Sequence, residues 1–304
     1  MRVITTARGF SDALEGERAL GRRIGLVPTM GALHAGHRSL VARAAADCDT
    51  VAVTVFVNPL QFNVAEDLAN YPRDLEGDVD QAAASGAAIV FAPPVQEMYP
   101  GFPAPVATSV HVDVVGDLLE GASRPGHFDG VATVVAKLCS LAGRSRVYFG
   151  DKDFQQLAVV RRMVADLSLP VEIVSCPTVR EADGLALSSR NVRLSGEGRR
   201  AAVALPRALD AGLAALGAGE RDPVRVGAAM RDVLEAASGV DPDYAAAVDA
   251  ATLATPARLG GEIRLLVAAT VGPVRLIDNV GMTLEPADAV EAAPSASATP
   301  VGVT

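Results

Sequence analysis

Short, almost wholly apolar runs alternate with longer stretches of mixed polarity over the first 178 residues. Thr50–Val57 (TVAVTVFV) is the clearest run, β-branched and apolar at nearly every position. Such a run reads as a parallel strand buried on both faces. The apolar run from Ile24, which breaks at Pro28, reads as a further strand, as do Ala88–Phe91, Arg146–Phe149 and Val171–Cys176. Thr108–Val115 alternates enough to predict one more, with His111 in a structural role. Between them the pattern predicts helices over 11–20 with Ser11 as N-cap, from His34 to about Asp47, over about 74–85, over Asp129–Leu141, and from after Gln156 to about Leu167. The glycines and proline of Glu120–Phe128 predict a mobile flap, on which Arg124 and His127 face an anionic ligand.

Strands alternating with helices predict an α/β protein, a Rossmann-like doubly wound parallel sheet. After Arg190 the texture changes to Ala-rich amphipathic helices, Gly196–Leu216 and Pro223–Ala237. Strand-like runs follow at Tyr244–Val248, Ile263–Thr270 and Val274–Asp278. The expected layout is a catalytic domain over 1–180, a smaller C-terminal α/β lid domain over 181–282, and a disordered tail over 283–304 rich in alanine, proline, serine and threonine.

Composition narrows the class. Of 304 residues, 50% are hydrophobic and 21% charged, as in a soluble globular protein. No apolar run approaches the roughly 20 residues of a membrane span. The N-terminus has no apolar signal-peptide core. Three widely spaced cysteines, Cys48, Cys139 and Cys176, argue against disulfides or a zinc site. A cytoplasmic protein is expected, with no membrane contact. The net charge of −9 argues against a nucleic-acid partner, which calls for a basic face. Only two of the 27 basic residues are lysines, Lys137 and Lys152. Lysine is a compact point charge where arginine is a wide fork, so both become candidates.

The candidate chemistry gathers where strands meet helices. Met30-Gly31-Ala32-Leu33-His34-Ala35-Gly36-His37 follows an apolar run and opens a helix. Helix N-termini bind anions through unpaired N–H groups and the macrodipole. The two histidines, three apart, share one helical face, and Gly36 adds no side chain against an approaching ligand. The segment reads as a phosphate site or as a polar helix start with solvated histidines. Gly150-Asp151-Lys152-Asp153 is a second strand-glycine-helix junction able to hold phosphate, now with a lysine. Ser188, Ser189, Arg190 and Asn191 supply phosphate-binding groups, or a capped loop. Asn58 and Gln61 follow a strand at the edge where open α/β sheets bind ligands, and serve equally as turn residues.

Taken together, several segments resemble one family. PTMGALHAGH resembles the H-x-G-H signature of the nucleotidyltransferase superfamily. VFVNPLQF, YPRD, EGASRPGHF, YFGDKDFQQL and TVREADGLALSSRN resemble, in order over about 24–191, the successive blocks of the pantothenate synthetase (pantoate–β-alanine ligase) family. Asp151 stands where the family typically has glutamate, Leu187 where it has methionine, and Asn63 where glycine is usual. The resemblance implies ATP-dependent, Mg²⁺-assisted joining of pantoate to β-alanine through pantoyl adenylate, releasing AMP and pyrophosphate, in a homodimer. It implies an ATP site of Met30 to His37, Gly150 to Asp153, Val179, and Leu187 to Arg190. It also implies His34, His37, Lys152 and Arg190 as catalytic groups, with His37 as general acid, and Gln61, Gln156 and nearby Asn58 as pantoate contacts.

The chemistry needs such groups independently. Attack on an α-phosphate builds charge on phosphoryl oxygens, so catalysis is positioning plus electrostatic stabilisation. The attacking carboxylate belongs to the substrate, and no nucleophilic side chain is required. Glutamine donates and accepts, matching the hydroxyls and carboxylate of pantoate. One rival is a nucleotidyltransferase with a phosphate acceptor, which would call for basic residues where Gln61 and Gln156 stand. Another is a non-catalytic nucleotide-binding module, which would have no use for Lys152.

Overall fold

The computed structural model describes residues 1–63 and 65–286. Six strands, β1 (Arg2–Ile4), β2 (Ile24–Thr29), β3 (Thr50–Val55), β4 (Ile89–Phe91), β5 (Ser145–Gly150) and β6 (Val171–Cys176), form one sheet in the order β1-β4-β3-β2-β5-β6. Every pairing is parallel. The helices between them are α1 (Ala7–Ala19), α2 (Ala35–Asp47), α3 (Ala65–Ala69), α4 (Leu75–Ala84), α5 (Val95–Met98), α6 (Glu120–Ser123), α7 (His127–Ala142) and α8 (Phe154–Asp166).

Alternation along each strand serves two cores. Leu26 of β2 and Ile89 and Phe91 of β4 pack with Phe10 and Leu14 of α1 and with α7 and α8. Val27 and Val90, pointing the other way, pack with Leu40, Val41 and Ala44 of α2 and Ala82 of α4. Both faces are covered, which is why the central strands β2, β3 and β4 carry no charged residue and threonine as their only polar one. The chain steps from β2 to β3 and β4 on one side, then returns to place β5 and β6 on the other. The switch point lies between β2 and β5, and ligands of open α/β sheets bind at the strand C-termini there.

A second unit contains α9 (Gly196–Ala201), α10 (Ala204–Gly217), α11 (Pro223–Glu235) and a three-stranded antiparallel sheet. Its strands are β7 (Val240–Asp249), β8 (Gly261–Val271) and β9 (Val274–Leu284). Leu205 and Leu209 of α10 and Val226 and Met230 of α11 pack on one face of this sheet. From the other face, Val248 and Leu266 join the core of the first unit.

Four sequence expectations change. Helix α1 starts earlier than predicted: Thr6 caps it, accepting the Gly9 N–H at 3.2 Å, and Ser11 donates to the Leu141 carbonyl at 2.6 Å. Thr108–Val115 forms no strand. Val110, Val112 and Val115 reach the core, but the segment joins neither sheet, and the Val110 N–H is taken by the Thr133 hydroxyl at 2.9 Å. Within the expected flap, Glu120–Ser123 form the short helix α6, and His127 and Phe128 open α7. The expected tail starts too early, because Thr283 and Leu284 end β9 and pair with Glu262 and Gly261. The remainder of that expected tail, 287–304, lies outside the described residues. Leu284 is buried at 7% exposure, and burying a leucine contributes about 2 kcal/mol. A chain ending at Met282 is therefore expected to be less stable by about that amount than one ending at Pro286, as read by denaturant unfolding.

Candidate active site

The two junctions beside the switch point open on one cavity of about 990 Å³. That is ample for a nucleotide and a small acceptor. The first junction is built by side chains that consume its own amides. Thr29 Oγ1 accepts the Gly31 N–H at 3.1 Å, and Asp78, 2% exposed, accepts from Ala32 at 3.0 Å and Leu33 at 2.7 Å. Gly31 has φ +83°, and a Cβ there would stand 2.7 Å from the Asp78 carboxylate. Glycine is required here by both the turn and the contact.

His34 caps α2, its Nδ1 accepting the Gly36 N–H at 3.1 Å. An accepting Nδ1 leaves the proton on Nε2. A Cβ on Gly36 would meet the His34 ring at 2.9 Å. The glycine therefore makes room for the histidine cap, where the sequence reading expected room for a ligand. The His34 and His37 rings lie 4.1 Å apart, centre to centre. Nδ1 of His37 is buried without a hydrogen-bond partner among the described residues. Burial pushes both rings down from their ordinary value, Lys152 lowering His34 further and His34 lowering His37, which falls to about 3. At neutral pH they are N–H donors and not cations.

At the second junction Gly150 leaves β5, and Asp151–Asp153 form a tight turn into α8. Lys152 points into the cavity wall with its ammonium 3.5 Å from Asp153. Ser188 caps the following turn, accepting the Arg190 N–H at 3.2 Å, and leaves the Arg190 side chain exposed at the cavity mouth. Val179, Leu187 and Ser189 line the same wall.

Gln61 lines the same cavity. Its Oε1 accepts from Asn58 at 3.0 Å, and its Nε2 donates to the Met30 sulfur. Asn58, 1% exposed, bonds the Gly130 carbonyl at 2.9 Å and the Tyr99 hydroxyl at 2.9 Å. It holds Gln61 and does not line the cavity. Gln156 lines it from α8. Its neighbour Gln155 faces inward, taking the Glu120 N–H and donating to the Val115 and Leu118 carbonyls.

Most of the residues singled out from sequence meet in this cavity: Met30, His34, Gly36 and His37; Gly150, Lys152 and Asp153; Val179 and Leu187 to Arg190; Gln61 and Gln156. Gly31, Ala32, Leu33, Ala35, Asp151 and Asn58 are not in its lining and shape it from beneath. Arg124 and His127 also line it, but they brace Gln61: His127 Nδ1 donates to the Gln61 carbonyl at 2.9 Å, and Arg124 contacts His127 Nε2 at 3.1 Å. With both ring nitrogens used, His127 has no proton left for an anion.

Sequence reasoning missed the wall from the second unit. Arg275 makes two 2.7 Å bonds to Glu120, which is 6% exposed, and Tyr244 donates to the same carboxylate at 2.9 Å. Asn279 reaches the Asp151 and Lys152 carbonyls. Tyr71, raised to about 12 by burial, was also missed. The only local signal was polar residues interrupting the apolar β9.

The architecture and the cavity define a class, the Rossmann-like α/β proteins with a doubly wound parallel sheet and a cavity beside the switch point. Comparison with known proteins narrows it: the chain belongs to the family described as pantoate-beta-alanine ligase, whose sequence profile matches residues 2–281. It is 54% identical over 279 residues to the pantothenate synthetase of Cereibacter sphaeroides, covering 91% of this chain and 98% of that one. It is 48% identical over 279 residues to that of Rhizobium etli, covering 92% and 93%. A crystal structure of pantothenate synthetase from Thermus thermophilus superposes with TM-score 0.85 at 48% identity, covering 92% of this chain and 99% of that one. The Francisella tularensis pantoate-beta-alanine ligase, complexed with beta-gamma ATP and beta-alanine, superposes with TM-score 0.73 at 31% identity, covering 92% and 97%.

The His127 environment makes a pH prediction. Burial, then Arg124, pushes it down to about 4, against an ordinary 6.5. The unfolded chain takes up this proton below about pH 6.5 and the folded chain does not, so the folded state loses stability as pH falls through that window. From pH 7 to pH 5 the loss is about 2 kcal/mol. His127→Gln is expected to shrink the measured stability difference between pH 7 and pH 5 by about that amount. An unchanged difference would show that His127 titrates normally.

Proposed function

We propose that this chain condenses pantoate with β-alanine using ATP, through pantoyl adenylate, releasing AMP and pyrophosphate. The observation that carries the reading is the convergence of His34, His37 and Lys152, from the two junctions flanking the switch point, with Gln61 and Gln156 on one cavity. In the first step a pantoate carboxylate oxygen attacks the α-phosphorus, and the bond from that phosphorus to the pyrophosphate oxygen breaks. In the second the β-alanine amine attacks the acyl carbon, loses a proton, and expels AMP.

Lys152 supplies the point charge for the phosphates and departing pyrophosphate, and Arg190 a fork at the cavity mouth. His34 offers Nε2–H, and His37 lies beside it at the start of α2. Because its basicity is suppressed, His37 serves as a neutral donor until polyphosphate charge beside it favours protonation, at which point it can act as an acid. Gln61, its amide oriented by Asn58 and Met30, and Gln156 hold the hydroxyls and carboxylate of pantoate.

Mg²⁺ enters this reading as part of the nucleotide substrate. Asp78 has both oxygens committed to the Ala32 and Leu33 amides. Among the described residues, His111, Asp113 and Asp117 form the one close cluster of potential metal ligands, and none of them lines the cavity. Phosphate oxygens would therefore carry most of the coordination. Among the described residues, no helix is long and apolar enough to cross a membrane. The reading includes a cytoplasmic homodimer, for which light scattering should give twice the 31.2 kDa chain mass.

The deciding experiment is AMP release by the purified protein. It is expected only when ATP, pantoate and β-alanine are all present, with ATP–pyrophosphate exchange requiring pantoate alone. Exchange driven instead by a phosphorylated acceptor would replace the ligase with a nucleotidyltransferase. Lys152→Ala is expected to fold normally and to lose exchange by about 10²–10³-fold, the usual cost of one transition-state donor. Near-normal exchange would remove Lys152 from the phosphate role.

A further inference from the structure

The turn that presents Lys152 is not held by its own unit alone. Ser175 of β6 bonds the Asp151 carboxylate. From the second unit, Asn279 of β9 donates through Nδ2 to the Asp151 carbonyl at 3.0 Å and to the Lys152 carbonyl at 2.8 Å. Asn279 is 4% exposed and is itself constrained on every polar atom. Its Oδ1 accepts from Arg264 Nε at 2.7 Å, and its N–H donates to the Asp278 carboxylate at 2.7 Å. Its carbonyl lies 3.3 Å from Arg180. Asp278, also buried, forms a two-pronged bond with Arg180 at 2.6 and 2.9 Å.

We infer that Asn279 is a positioning residue that aims Lys152 at the nucleotide phosphates, so that the C-terminal unit builds part of the first half-reaction. This rests on the phosphate role of Lys152 given above. The physical argument is one of reach and entropy. A lysine ammonium sits on a flexible four-carbon stem, and its position is only as definite as its Cα. Two bonds to consecutive carbonyls fix the backbone on both sides of that Cα, and a single planar amide with two N–H groups makes both. The amide cannot rotate to escape, because the Arg264 contact on Oδ1 fixes which end points at the turn. A group misplaced by about 1 Å can cost about 100-fold in rate.

The test separates the half-reactions. Asn279→Ala is expected to lower the maximal rate of pantoate-dependent ATP–pyrophosphate exchange by about 100-fold. AMP release from supplied pantoyl adenylate and β-alanine should be little affected, because that step expels no pyrophosphate. Asn279→Asp keeps the shape and the Arg264 contact while facing oxygen toward two carbonyls, and should show the same split if the alanine variant does not fold. The double variant Lys152→Ala/Asn279→Ala should be no slower in exchange than Lys152→Ala, since a residue acting through the lysine has nothing left to aim. Full exchange by both Asn279 variants, equal loss in both half-reactions, or a multiplicative loss in the double variant would overturn the inference. If Lys152→Ala itself exchanges normally, the role of the lysine falls first, and this inference with it.

Discussion

The carboxylate of Asp78 is the interaction on which the cavity depends. Buried beneath the β2–α2 junction, it takes the N–H groups of two consecutive loop residues, and Thr29 takes a third. A chain leaving a parallel strand through glycine would otherwise carry unpaired amides into the protein interior, at about 1–3 kcal/mol each. With those amides satisfied from below, the loop turns sharply, α2 starts where it does, and His34 and His37 come to the upper surface. The cradle is thus mostly side chains standing on a closed backbone. It differs from a glycine-rich loop whose amides all face the phosphates.

The resulting site has an unusual electrical character. The whole chain carries −9, and acidic side chains such as Asp153 and Glu120 line the same cavity as Lys152 and Arg190. Neutral histidines and amides sit between them, so the resting site carries little concentrated positive charge. Arg275 is committed to Glu120 and Asp243, with 2.7 Å bonds to the former. Attraction for a polyphosphate therefore falls on Lys152, on Arg190 at the mouth, and on Arg124 and Arg193, which line the same cavity without a carboxylate partner among the described residues. Much then depends on where the lysine is held, and it is held partly by a strand more than a hundred residues away.

Several residues show where sequence legibility ended. His34, His37, Lys152 and the Ser188–Arg190 turn were visible because each follows a strand or opens a helix, and both patterns are local. Gly36 was visible but its purpose was not, since the ring it accommodates belongs to a side chain two residues earlier. Asn58 looked like a ligand contact and proved to hold Gln61. Thr108–Val115 had the alternation of a strand but joins no sheet, its Val110 N–H going to a side chain of α7. The wall made by Tyr244, Arg275 and Asn279 was overlooked because its residues are scattered singly along strands of another unit.

Periodicity and punctuation within the chain determined the alternating parallel architecture, the change of texture after Arg190, and the segments that carry phosphate chemistry. Those properties depend on side chains a few residues apart, whose spacing the helix and strand geometry sets. Tertiary structure alone decided the strand order that places β2 beside β5. It also decided the neutral state of the histidines, which depends on burial, and the pairings of Asp78 with Ala32 and of Asn279 with the Lys152 turn. Those partners are 46 and 127 residues apart. The strand-loop-helix at Met30–His37 announces that something anionic binds there, but what closes the site around it is set by contacts that no local pattern encodes.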